Sequence, residues 1–119
     1  MENKIYDLKK RSYVYALEII RLLESLPKEY ISQTLGKQLL RSATSVGANI
    51  IEAQASGSRK DFSNFYRYAL KSANESKFWL GLLKDSSKAL TDKVGPILDE
   101  TNELANIIAS CIITIRGER

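Results

Sequence analysis

Apolar residues along the chain recur at alternating spacings of three and four, and nowhere does a sustained alternation of period two appear. That is the mark of helices with one buried stripe each. The first stripe is Ile5, Leu8, Ser12, Tyr15, Ile19, Leu22 and Leu26, and Pro27 stops it, since the residue before a proline is pushed out of the helical region. The second is Leu35, Leu39, Ala43, Val46, Ile50 and Ala53, followed by Gly57, which suits a left-handed closing position. Ser58 with Asp61 three residues on is a capping-box pattern for a third helix. Its stripe is Phe62, Phe65/Tyr66, Ala69, Ala73, Ser76, Leu80 and Leu83. A loop is expected over Ala89–Gly95, with Pro96 in the first turn of a fourth helix that carries Leu98, Thr101, Leu104/Ala105, Ile108, Cys111/Ile112 and Ile115. The pattern predicts helices over 5–26, 31–56, 59–88 and 95–116. Their short connections make an all-α, antiparallel up-down-up-down four-helix bundle in one domain, 1–119.

A lone bundle needs one apolar stripe per helix, and several helices carry a second. Tyr13 and Ile20 lie opposite the first seam. Leu40, Thr44, Gly47 and Ile51 form a separate line on the second helix. On the third, Tyr68 and Trp79 share one flank, with Phe78 and Leu82 on the far side. Surplus stripes of this kind predict an oligomer interface, with Leu40, Thr44, Gly47, Ile51, Tyr68 and Trp79 as its candidates. Gly47 adds to this, because glycine inside a helix costs about 1 kcal/mol unless close approach requires it.

The chain has no histidine and one cysteine, Cys111. This excludes an intrachain disulfide and removes both the commonest metal ligand and the commonest acid–base at neutral pH. Glu52 and Glu75 are two carboxylates, but a di-iron bundle also needs Glu-x-x-His on two helices. No metal, no cofactor and no catalytic residue are expected, and Cys111, on the fourth seam, reads as a core thiol. Arg41, Ser45, Asn49 and Glu52 share one face of the second helix, so that Arg41 and Glu52 bracket a polar ladder; a solvated or interface-lining stripe explains it better than an active site.

The net charge of +4 is unevenly spread: residues 92–119 carry three Lys/Arg against five Asp/Glu, and everything before them is basic. Lys9, Lys10 and Arg11 cluster on the first helix. Arg59 and Lys60 open the third, and Arg67 and Lys71 continue one of its faces, which Asn74 and Phe78 extend. Basic residues interleaved with amide and aromatic groups can follow a phosphate backbone and stack bases. The favoured reading is a non-enzymatic homo-oligomer that binds nucleic acid, RNA above DNA. The alternative is an oligomeric protein–protein scaffold whose basic charge only keeps it soluble. The charged start of the chain lacks the apolar run of a secretion signal, and the longest uncharged apolar stretch, Leu104–Ile115, is too short to span a bilayer. A cytoplasmic protein with no membrane partner is expected.

Three stretches resemble a known family: Arg41 to Ala53, read as R-S-x-x-S-[IV]-x-x-N-I-x-E-[GA]; Ser58 to Phe62, read as S-[RK]-K-[DE]-F; and Ala69 to Glu75, read as A-L-x-S-x-x-E. Leu26–Glu29 fits as well. The resemblance is to the bacterial four-helix-bundle proteins encoded in intervening sequences of 23S ribosomal RNA genes, and it extends from about Tyr6 to Ile115. Gly47 stands where many members carry proline, and Ala53 where they carry glycine. The resemblance implies an antiparallel bundle, assembly into homopentameric barrels with a central channel, and no enzymatic activity. It also implies similarity to the accessory variability protein of diversity-generating retroelements, a basic pentamer that associates with nucleic acid and a reverse transcriptase.

Overall fold

The structure, a computed structural model, describes residues 2–117, with side chains from residue 8 onward. Four helices follow one another: α1 (Glu2–Glu24), α2 (Tyr30–Ala55), α3 (Arg59–Ser86) and α4 (Lys88–Ile115). They form an up-down-up-down bundle of 45 × 22 × 19 Å, in which α1 packs on α2 and α4, and α3 also packs on α2 and α4. The predicted seams fill the core. Leu8, Ile19, Leu39, Val46, Ile50, Leu80, Leu83, Leu104 and Ile108 are fully buried. Each such side chain contributes about 1.5–3 kcal/mol relative to exposure. Ile5, expected on the α1 seam, has its side chain outside the described residues.

Polar groups set the helix ends. Glu29 caps α2 by accepting from the Ser32 backbone N–H at 2.8 Å. Ser58 caps α3, its hydroxyl accepting from the Asp61 N–H at 3.1 Å, as the sequence predicts. Gly57, expected in the left-handed region, does not adopt it; among the described residues only Gly117 has a positive φ. Ser56 removes the need. It is extended, and both its N–H (3.2 Å) and its hydroxyl (2.6 Å) donate to the Ala53 carbonyl, so the α2 end is satisfied without a left-handed residue.

The largest departure from expectation is in α4. The expected loop over residues 89–95 is helical, Pro96 lies inside the helix, and the α3–α4 connection is the single extended residue Ser87. A proline there forfeits one intrahelical hydrogen bond. Packing overrides that cost: Leu90, Val94 and Ile97 carry the three-and-four spacing upstream of Thr101, and all three are buried.

A layer of hydroxyls crosses the apolar core. Thr101 gives its proton to the Ile97 carbonyl (2.8 Å), so Tyr15 donates to Thr101, at 2.7 Å. The Ser42 and Ser76 hydroxyls share a 2.8 Å hydrogen bond, and each also faces a carbonyl of its own helix, Leu39 (3.3 Å) and Ser72 (2.9 Å). Burial pushes the Tyr15 phenol up to about 12. Tyr66 differs. Stacked on Phe62 and fully buried, its hydroxyl has no hydrogen-bond partner among the described residues, and burial raises it too to about 12.

The two tyrosines therefore predict opposite outcomes. Tyr15→Phe removes a made bond and should lower stability by about 1 kcal/mol, whereas Tyr66→Phe removes an unpaired buried hydroxyl and should raise it by about 1 kcal/mol. Urea midpoints at unchanged m-value measure both. Both pKa values lie above the ordinary 10, so the unfolded chain loses these protons first. Stability should therefore fall as pH rises from about 10 toward 12.

Candidate nucleic-acid interface

The antiparallel order brings the N-terminus of α3 beside the C-terminus of α4. Arg59 ties the two, its Nε donating to the Ile115 carbonyl at 2.8 Å. That bond places a cation on the negative end of the α4 dipole and uses one of the guanidinium's five donors. Next to it a groove of about 530 Å³ opens, lined by Arg59, Lys60, Arg67 and Arg116 with Ser63 and Asn64. Among the described residues no carboxylate lines it. Arg59, Lys60 and Arg67 are exposed, and Lys71, one turn beyond Arg67, is exposed on the same face of α3.

The other basic candidates lie elsewhere. Lys9 and Lys10 are exposed on α1, diagonal to α3 and apart from the groove. Arg11 is half-buried against α4, with Nη2 2.7 Å and Nε 3.2 Å from the Glu100 carboxylate and Glu103 at 3.5 Å. Hydrogen bonding to Glu100 raises its pKa further, so the guanidinium stays charged and its charge is balanced within the chain. The acidic stretch of α4 thus holds α1 rather than standing apart.

The polar stripe of α2 does not form a side-chain ladder. Ser45 donates to the Arg41 carbonyl and Asn49 to the Ser45 carbonyl, each at 2.8 Å, so both side chains fold back on their own helix. Arg41 reaches across to Glu75 of α3 instead of toward Glu52, which is exposed. Glu75 also accepts from the Trp79 indole N–H at 3.0 Å. The Trp79 hydrogen bond, then Arg41, holds the Glu75 carboxyl below its usual range.

Of the interface candidates, Leu40, Ile51 and Tyr68 are exposed, and Thr44 and Trp79 are half-buried. Gly47 faces inward on α1: a Cβ there would lie 3.2 Å from the Ser12 hydroxyl. The close approach its glycine serves is within the chain. Cys111 is buried in the core beside Tyr66. Sequence reasoning missed Ser63, Asn64 and Arg116 as part of the groove. Asn64 was legible, since Lys60, Asn64 and Arg67 follow the same three-and-four spacing; Arg116 needed the α3–α4 register.

Among the described residues no group of His, Cys, Asp or Glu is placed to hold a metal ion, and no helix is long and apolar enough to cross a membrane. The chain belongs to the family of 23S rRNA-intervening sequence proteins, which it matches over residues 4–110. A crystal structure from Bacteroides thetaiotaomicron, of a protein with unknown function from the S23 ribosomal protein family, is 36% identical. It superposes with a TM-score of 0.83, covering 92% of this chain and 97% of that one. No curated protein matches the sequence.

The Glu75 site predicts a pH effect. Its folded pKa is depressed, so its contribution to stability is present above the ordinary 4.5 and is lost as pH falls through the folded value. Emission from Trp79, the chain's one tryptophan, should change with a midpoint below 4.5, and Arg41→Gln should move that midpoint up.

Proposed function

We propose that the protein is a non-enzymatic, cytoplasmic homo-oligomer that binds nucleic acid through phosphate contacts, RNA before DNA. The groove carries the reading: Arg59, Lys60, Arg67 and Arg116 converge on one concave surface, with Ser63 and Asn64 between them. Phosphates are the polyanion that such a surface attracts, and contacts to phosphate position a strand without reading its sequence. The name of the family, tied to intervening sequences of 23S rRNA, favours RNA.

Two separate apolar patches support the oligomer. Leu40 and Ile51 mark one on α2, and Tyr68 with Trp79 marks another on α3. Two different patches that join head to tail generate a ring, whereas a twofold dimer needs only one self-complementary patch. Family resemblance supplies the count of five, and five copies at +4 carry 5 × 4 = +20.

Electrophoretic shifts with single-stranded RNA, duplex RNA and duplex DNA at low salt test the reading. Binding should weaken with salt. Replacing Lys60, Arg67 and Lys71 by Gln should flatten the single-strand salt slope by about 2, near 0.7 per lost phosphate contact. The light-scattering mass should stay unchanged. If the intact oligomer bound none of the three, the protein-scaffold reading would lead. Ile51→Glu should reduce the assembly to monomers of 13.4 kDa, because an unpaired charge in a buried contact is costly. An unchanged mass would remove Ile51 from the interface.

A further inference from the structure

The nucleic-acid reading leaves open which form of strand the groove takes, and the face of α3 that leaves the groove bears on that. Lys60, Asn64, Arg67, Lys71, Asn74 and Phe78 follow one another at spacings of four, three, four, three and four, so they share one face of the helix. From Lys60 to Phe78 this line runs about 27 Å at 1.5 Å per residue. Each step rises about 5 Å, so the polar and basic groups recur at short, regular intervals along the helix. Two acids flank the line: Asp61, exposed beside Lys60 in the first turn, and Glu75, whose carboxylate is drawn away to Arg41 of α2 and the Trp79 indole. Phe78 is 60% exposed, a large aromatic face offered to solvent at the far end of a basic line. Asp85, seven residues further and exposed, ends the run.

We propose, resting on the nucleic-acid reading above, that this face is a track for single-stranded nucleic acid: the backbone seats in the groove and along Arg67 and Lys71, and a base stacks on Phe78. A duplex keeps its base faces stacked inside and has none to offer Phe78. A single strand does, and stacking on an aromatic tolerates any base. The track thus selects strandedness rather than sequence.

Trp79 provides the readout. Its ring lies 5.1 Å from that of Phe78, edge-on at 72°. The probes are an oligouridylate and an RNA duplex of equal length, titrated into the full-length oligomer at low salt. The single strand should change Trp79 emission and bind more tightly than the duplex. Phe78→Ala should weaken single-strand binding roughly 5- to 100-fold, leave duplex binding unchanged and leave the light-scattering mass unchanged; Phe78→Tyr should restore the affinity. Equal single-strand affinity of Phe78→Ala and the parent, with the Lys60, Arg67 and Lys71 effects intact, would overturn the track and keep the nucleic-acid reading. A changed mass for Phe78→Ala would also overturn it, by assigning Phe78 to an assembly contact. Failure of both strand forms to bind would overturn both readings.

Discussion

Four hydroxyls meet in the middle of an otherwise apolar bundle, and where they meet decides how the helices slide against one another. Leu and Ile seams pack at more than one offset; a buried hydroxyl that must find a partner does not. Tyr15 of α1 on Thr101 of α4, and Ser42 of α2 on Ser76 of α3, pin two helix pairs on opposite sides of the bundle. Ser76 also faces the Tyr15 hydroxyl closely enough to affect it, which joins the two pairs into one layer. A slip of one turn would leave the Tyr15 hydroxyl buried without a partner, at about 1–3 kcal/mol, while Thr101, Ser42 and Ser76 would keep only the bonds to carbonyls of their own helices.

Register fixed at mid-bundle is what aligns the ends. With α3 and α4 held, the first turn of α3 meets the last turn of α4, and Arg59 closes on the Ile115 carbonyl. Arg59, Lys60 and Arg67 are separated from Arg116 by about half the chain, yet they share one groove. On the other side, Glu100 and Glu103 of α4 both pair with Arg11 of α1. Positive charge therefore collects on the α3 side of α4 while α4 itself stays acidic. The net charge of +4 understates this concentration.

The seams were legible because burial follows periodicity. Leu8, Ser12, Tyr15, Ile19, Leu22 and Leu26 are all buried as spaced. The Ser58–Asp61 cap was legible because its chemistry is local. Failures came where distant packing outweighed local signals. Gly95-Pro96 reads as a break, but Leu90, Val94 and Ile97 have a core to enter, so α4 runs through it. Gly47 reads as an outward contact, but its neighbour is Ser12. The polar stripe of α2 reads as a ladder because spacing alone cannot show that Ser45 and Asn49 turn back to their own carbonyls, or that Arg41 chooses Glu75. Half of the groove was visible as Arg59, Lys60 and Arg67; its other wall belongs to a helix whose register the sequence does not state.

On the proposed reading α3 is the working helix, packed between α2 and α4 with Lys60, Arg67, Lys71 and Phe78 exposed. The most direct measurement is photocrosslinking of the full-length protein to a single-stranded RNA carrying photoreactive uridine, with the crosslinked peptides identified by mass spectrometry. The account predicts crosslinks concentrated in residues 59–78 of α3 and around Arg116. Crosslinks concentrated on α1 and α2, or none at low salt, would contradict it.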